Sequence, residues 1–181
     1  IVSNQISGFA GAGIAIQSPV RDLIVKLNQI ERCGNGIVTE DETNSASVSI
    51  ENNHVSDIGA AAGEQTAFVV GILVSRAVVA SVSGNVVRRI GRQDVRSALR
   101  AGVAAVSVQR LRVSGNDATD VGPIDDFVGL AAGILVMAPY VQAEVTHNHV
   151  ARDLQPTPQA AGRSQWVALL MDQPSDRRVV A

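Results

Sequence analysis

Apolar residues return along the chain in pairs spaced two apart: Leu23 and Val25, Val48 and Ile50, Ala80 and Val82, Leu111 and Val113, Ala143 and Val145. Their neighbours are polar, among them Lys26, Ser49, Glu51, Ser81, Ser83, Arg112, Ser114, Glu144 and Thr146. Side chains alternate across a strand, so this spacing predicts short strands with one buried and one wet face. Three positions after the second member of each pair stands an asparagine, at Asn28, Asn53, Asn85, Asn116 and Asn148, and Asn4 follows Ile1 in the same way. Asparagine tolerates the left-handed conformation and bonds locally through its amide, so it is expected to turn the chain. Two positions further on, Ile6, Ile30, Val55, Val87, Ala118 and Val150 predict a second short strand. A third strand opens on a glycine and an aliphatic residue: Gly13-Ile14, Gly36-Ile37, Gly71-Ile72, Gly102-Val103 and Gly133-Ile134. Gln165-Trp166 is expected as a sixth member that has lost the glycine, with Trp166 mostly buried.

The asparagines are 24 to 32 residues apart. A unit of that period that cannot bury its apolar face alone predicts a solenoid, in which each coil is covered by its neighbours. From glycine to the next asparagine the distance is nearly fixed, at 14 to 17 residues, whereas from asparagine to glycine it rises from 8 or 9 to 17 or 18. Length variation is therefore confined to one of three corners, where the later coils carry insertions.

Three short strands per coil, an asparagine at one corner and a glycine-aliphatic strand start resemble the right-handed parallel β-helix of the pectate-lyase-like superfamily. The resemblance covers nearly the whole chain. It implies an all-β fold of about six coils, with equivalent residues stacked at roughly 4.8 Å and the six asparagines forming an internal amide ladder. It is almost silent about activity, because many functions sit on one scaffold. The Leu-rich phrase of a leucine-rich repeat is absent. The chain starts inside a repeat at Ile1 and ends with Arg177, Arg178 and Val179 without an evident cap. Residues 1–181 are therefore expected to be one β-helix domain excised from a longer protein.

One further column alternates in sign. Four positions after successive asparagines stand Arg32, Asp57, Arg89, Asp120 and Arg152. Stacked vertically, each charge would face opposite charges above and below, an arrangement that opposes register slip.

Composition narrows the function classes. The formal charge is −2 with a pI near 5.9, which disfavours nucleic-acid and anionic-membrane partners. No run approaches the roughly 18 apolar residues of a spanning helix. Cys33 is alone, excluding an intrachain disulfide, and is expected to be a buried structural thiol. Sugar-binding surfaces stack pyranose rings on exposed aromatics, and the chain offers only Trp166 and Tyr140 in the tryptophan and tyrosine classes.

Enzymes that this fold resembles place acids, metal ligands or an arginine on the outer face of the glycine-opened strand. Here that face reads Val38, Leu73, Ala104 and Leu135, followed by Glu40, Ser75, Val106 and Met137. It holds one carboxylate and is otherwise apolar, so the paired carboxylates of a glycosidase or lyase are missing. An apolar strip needs a cover. The insertions Gly59–Val70, Gly91–Ala101, Gly122–Ala132 and Gln155–Gln165 are expected to fold over it as a second layer, with a short helix across Gln93–Arg100. An oligomer interface on the same strip is the alternative.

His54, His147 and His149 have no aligned acidic or Cys partner, so they are read as solvated, and neither a metal site nor any cofactor is expected. Arg88, Arg89, Arg92, Arg96 and Arg100 are read as a partly paired, solvated surface rather than a grip on an anionic polymer. Asp125-Asp126 is read as a loop cap near a helix start. If a site exists in the insertions, its candidate binding residues are Glu64, Arg92, Arg96, Asp125 and Asp126; no catalytic residue is assigned. The expected function is a non-catalytic structural or recognition segment of a larger bacterial surface or secreted protein, with polysaccharide, protein or another copy as partner. The alternative is a fragment of a carbohydrate-active enzyme (polysaccharide lyase, hydrolase or epimerase). Source and extracellular location are implied by the resemblance alone.

Overall fold

The structure is a computed structural model that describes residues 1–39, 45–59, 67–92, 97–123, 127–152 and 164–172. Every regular element among them is a strand. In chain order these are β1 (Gln5–Ser7), β2 (Ala12–Ile16), β3 (Asp22–Lys26), β4 (Gln29–Glu31), β5 (Asn35–Thr39) and β6 (Ser45–Glu51). They continue with β7 (His54–Ile58), β8 (Phe68–Ser75), β9 (Ala77–Ser83), β10 (Val86–Ile90), β11 (Leu99–Val106) and β12 (Arg110–Ser114). The last are β13 (Asp117–Val121), β14 (Gly129–Met137), β15 (Gln142–Thr146), β16 (His149–Ala151) and β17 (Ser164–Met171).

Each strand pairs with the strand three places on, always in parallel, so the chain winds as a β-solenoid with three faces. The first sheet runs β1-β4-β7-β10-β13-β16, the second β2-β5-β8-β11-β14-β17 and the third β3-β6-β9-β12-β15. The apolar columns predicted from the repeat are in register. Val25, Ile50, Val82, Val113 and Val145 face one another in the third sheet. Ile30, Val55, Val87, Ala118 and Val150 do so in the first sheet. Ile14, Ile37, Ile72, Val103 and Ile134 do so in the second. Inward side chains of the three faces form one core, which also buries the Cys33 thiol.

The asparagines stack as an amide ladder along one corner. Asn53 donates from Nδ2 and from its backbone N–H to Asn85 Oδ1, both at 2.9 Å. The same Nδ2 also reaches the carbonyls of Val25 and Glu51 at 3.0 and 3.1 Å. The pattern repeats from Asn4 to Asn28, Asn28 to Asn53, Asn85 to Asn116 and Asn116 to Asn148. Asn28, Asn53, Asn85 and Asn116 are buried, so this saturation is what makes four amides tolerable in an apolar core. The turn itself is made differently from the expectation. Positive φ falls on the residue before the asparagine, at Ser3, Leu27, Asn52, Gly84, Gly115 and His147, and not on the ladder asparagine. The ladder residue must send its amide inward along the stack, which leaves its predecessor to reverse the chain.

The glycines that open the second-sheet strands have a steric reason. A Cβ on Gly36 would stand 2.6 Å from Val55 Cγ1, one on Gly71 2.4 Å from Val87 Cγ1, and one on Gly133 2.2 Å from Val150 Cγ1. These are the aliphatic residues that follow the asparagine, so the two faces close on each other only where a side chain is missing. The last strand departs from the expectation: Ile134 pairs with Leu169 and Ala131 with Trp166. The sixth member is therefore Ala168-Leu169, three residues later than Gln165-Trp166. Ala168 is exposed. Trp166 is half-buried and donates from Nε1 to Val121 O at 3.1 Å.

One expectation about the insertions is also corrected. Leu99 and Arg100 lie in β11, not in a helix, and Gln93–Arg96 lie outside the described residues. Phe68–Val70, Leu99–Ala101 and Gly129–Ala132, the ends of three insertions, lengthen the second sheet, with Leu99 in register with Phe68 and Leu130. Residues 60–66, 93–96, 124–126 and 153–163, on which the expected covering layer falls, lie outside the described residues. The outer strip of that sheet is nonetheless apolar and buried at Val38, Ala104 and Leu135, which join Val70, Ala101 and Ala132 in a second cluster. Glu40 lies outside the described residues.

Asn85→Ala removes the acceptor of two buried donors on Asn53, so it should cost about 3 kcal/mol in urea unfolding. Asn4→Ala, at the exposed end of the ladder, should cost less than about 1 kcal/mol. Equal losses at the two positions would contradict the ladder as a buried polar network.

Candidate functional site: a paired-charge face and corner

The outer face of the first sheet collects most of the described charge pairs. Residues one and three places after each asparagine point outward there, and the residue four places after it ends the strand. At that fourth place Arg32, Asp57, Arg89 and Asp120 all adopt φ between 53° and 55°. A left-handed non-glycine residue costs about 1 kcal/mol, yet the conformation recurs in successive coils. It swings each charged side chain outward at the corner.

The alternating column is in electrostatic contact along its length. Arg89 donates from Nε and Nη2 to both oxygens of Asp57, each at 2.6 Å. That hydrogen bonding, with weaker help from Ser56 and Arg32, outweighs partial burial and holds the Asp57 carboxyl below the usual carboxylate range. Asp57 in turn raises the Arg89 guanidinium, with a smaller contribution from Asp120. Asp120 also faces Arg92, whose Nη1 lies 3.8 Å from its Oδ2, both side chains being largely buried. Arg152 donates from Nη2 to Pro123 O. Burial lowers Arg152 from the usual guanidinium range; the charge of Asp120 opposes this and that of Arg92 adds to it.

A second cluster lies one column inward, which sequence reasoning missed. Asp117 and His149 both stand one place after their asparagines and pair directly across β13 and β16. His149 Nδ1 is 3.0 Å from Asp117 Oδ1, and Arg88 Nη2 donates to Asp117 Oδ2 at 2.6 Å. Burial opposes ionisation of Asp117, but the bonds from Arg88 and His149 prevail and hold it below the usual range. The expectation that no histidine has an aligned acidic partner is thus overturned. The signal was present in the same alignment, one position after the asparagine. All three histidines are exposed. Among the described residues no three His, Cys, Asp or Glu side chains converge as a metal set.

Of the five candidate binding residues, Arg92 is at this corner, beside Asp120 and close enough to act on Arg152. Glu64, Arg96, Asp125 and Asp126 lie outside the described residues. Arg100 is a correction to the solvated arginine surface: among the described residues it is the largest fully buried side chain. Its Cγ lies 3.0 Å from where a Cβ on Gly91 would be, so the absent side chain at that corner makes room for it. The guanidinium sits 5.0 Å from the centroid of the Phe127 ring and donates from Nη1 to Val128 O at 2.8 Å. Arg100 therefore ties the described end of the third insertion to the sheet.

Chemically, this face offers carboxylates held ionised by cations. A general acid at neutral pH needs the opposite, a carboxyl raised by burial or by a like charge. Among the described residues no helix is long and apolar enough to cross a membrane. No family model, curated protein or solved structure matches the chain.

The Asp57–Arg89 pair is testable by a double-mutant cycle with Asp57→Asn and Arg89→Gln. The coupling should be about 0.2–1 kcal/mol near neutral pH and shrink with added salt. Because the folded carboxyl is depressed, its stabilisation is present above the unfolded value of about 3.9. It is lost as pH falls through the folded value, so Asp57→Asn should flatten the acid limb of the stability profile. A coupling that is unchanged in strong acid would contradict the pair. Arg100→Ala should cost about 2–5 kcal/mol, because it empties a packed site and removes the ring contact. Arg100→Met should restore part of that loss by refilling the volume, and thermal melts that show neither variant destabilised would contradict the buried strut.

Proposed function

We propose that this chain is a non-catalytic structural or recognition segment of a larger bacterial surface or secreted protein. The observation that carries the reading is the pairing of outward carboxylates with cations: Asp57 with Arg89, Asp117 with Arg88 and His149, Asp120 with Arg92, and Glu144 with Arg112. Such charges hold the stack in register and present a nearly neutral, hydrogen-bonding face. The function that suits them is the display of a rigid surface to a polysaccharide, a protein or another copy of the chain. The amide ladder and the glycine-opened strands support kinship with the pectate-lyase-like superfamily, and that kinship is what brings the source, the location and a right-handed winding into the proposal.

The second reading is a fragment of a carbohydrate-active enzyme, and one observation favours it: Arg92, Asp120 and Arg152 gather at the corner from which the insertions leave. Incubation with a panel of acidic and neutral polysaccharides separates the two. The expected outcome is no release of unsaturated products or reducing ends. Release that disappears in Arg92→Ala or Asp120→Asn would replace the first reading by the second.

A further inference from the structure

Asn35-Gly36 is the single Asn-Gly sequence in the chain, and it lies at the start of β5. This dipeptide is the one most prone to convert itself, because glycine has no Cβ to hinder approach of its nitrogen and has the widest backbone freedom. The Gly36 nitrogen bonds to Asn35 Cγ, Nδ2 leaves as ammonia, and a cyclic imide forms. Water then opens either carbonyl and returns aspartate or its β-linked isomer. No oxidant, reductant or enzyme is required.

The structure holds this reaction off. Asn35 Oδ1 accepts the backbone N–H of Val70 at 2.9 Å, which fixes the amide toward β8. Asn35 is paired with Ala12 on the other side. Gly36 is pinned as well, since a Cβ there would stand 2.1 Å from Gly71 O. Cyclisation needs Cγ to swing back onto the Gly36 nitrogen, and therefore needs the Val70 bond to break.

We propose that Asn35 is a latent self-modification site, kept inert by the pairing of β5 with β8 and released when that pairing opens. Conversion to the β-linked isomer inserts one carbon into the backbone between residues 35 and 36. Ile37 and Val38 could then no longer stand opposite Ile72 and Leu73, and the slip would turn core side chains outward. The step is one-way, so an opened coil is not restored once it has reacted. The other asparagines of the stack are followed by Gln5, Gln29, His54, Val86, Asp117 and His149, and their amides are committed to the ladder.

Peptide mapping by mass spectrometry during incubation in mildly alkaline buffer tests this on the intact chain. In concentrated urea, Asn35 should be the first asparagine to convert. In the folded chain its conversion should be at least about tenfold slower, because only the locally opened population reacts. Thr39→Val supplies a second arm. It removes the hydroxyl that accepts from Ser75 N at 2.8 Å, loosening the same strand pair without touching Asn35. The folded variant should convert several-fold faster than the parent, while the two match in urea. Equal folded and unfolded rates in the parent, or another asparagine reacting first in urea, would overturn the proposal. An unchanged folded rate in Thr39→Val would also overturn it, and if that variant does not fold the parent comparison decides alone.

Discussion

A carboxamide carries donors and acceptor on one short arm, and that property lets a polar column run through the interior of this solenoid. Each amide passes its N–H groups to the oxygen of the next coil and also spends them on carbonyls of its own coil and the one before. The backbone beside the ladder donates the opposite way, to the preceding coil, with His54 N donating to Asn28 O and Val86 N to Asn53 O. Aspartate would bring acceptors and repelling charges to the same column, and alanine would leave buried donors stranded. Since a slip of one residue would break every rung and turn the apolar columns outward, the ladder and the core select the same register in all three sheets.

Closing three faces around that column requires side chains to be absent at set places. One set of glycines receives the aliphatic residues of the first sheet, and Gly91 and Gly122 at the insertion corner admit Arg100 and Ala131. The insertion corner is thus a packed junction within the fold, joined to the sheet by the Arg100–Phe127 contact and the Trp166–Val121 bond. The basic residues suit this architecture. Lys26 is the only lysine, against fourteen arginines. A planar guanidinium can bridge a carboxylate with two bonds, as Arg89 does with Asp57, or lie against a ring, as Arg100 does with Phe127.

The charged corner illustrates how one element serves stability and surface chemistry together. Left-handed residues cost free energy, and the outward swing that they produce lets oppositely charged neighbours meet between coils. Exposed pairs return little individually, but repeated through the stack they penalise any misaligned coil. The same pairing keeps Asp57 and Asp117 ionised and occupied, which suits a display surface and disfavours acid catalysis on this face.

Much of this was legible in the sequence, because a repeat writes the environment of one residue several times over. The asparagine ladder, the three in-register apolar columns, the buried Cys33 and the alternating charges follow from positions counted relative to Asn28, Asn53, Asn85 and Asn116. Asp117 and His149 were equally available in that frame and needed only one more column to be read. What lay beyond it was decided by space. Whether the glycine-aliphatic phrase of the last coil falls at Trp166 or at Leu169 depends on strand pairing across a variable insertion, where counting from the asparagine has no fixed distance. Arg100 reads as a surface cation in sequence and is buried because Gly91, across the corner of its own coil, leaves room and Phe127 covers it. Periodicity reports which residues share a column, whereas burial of a charge depends on contacts between columns, and those exist only once the coils are stacked.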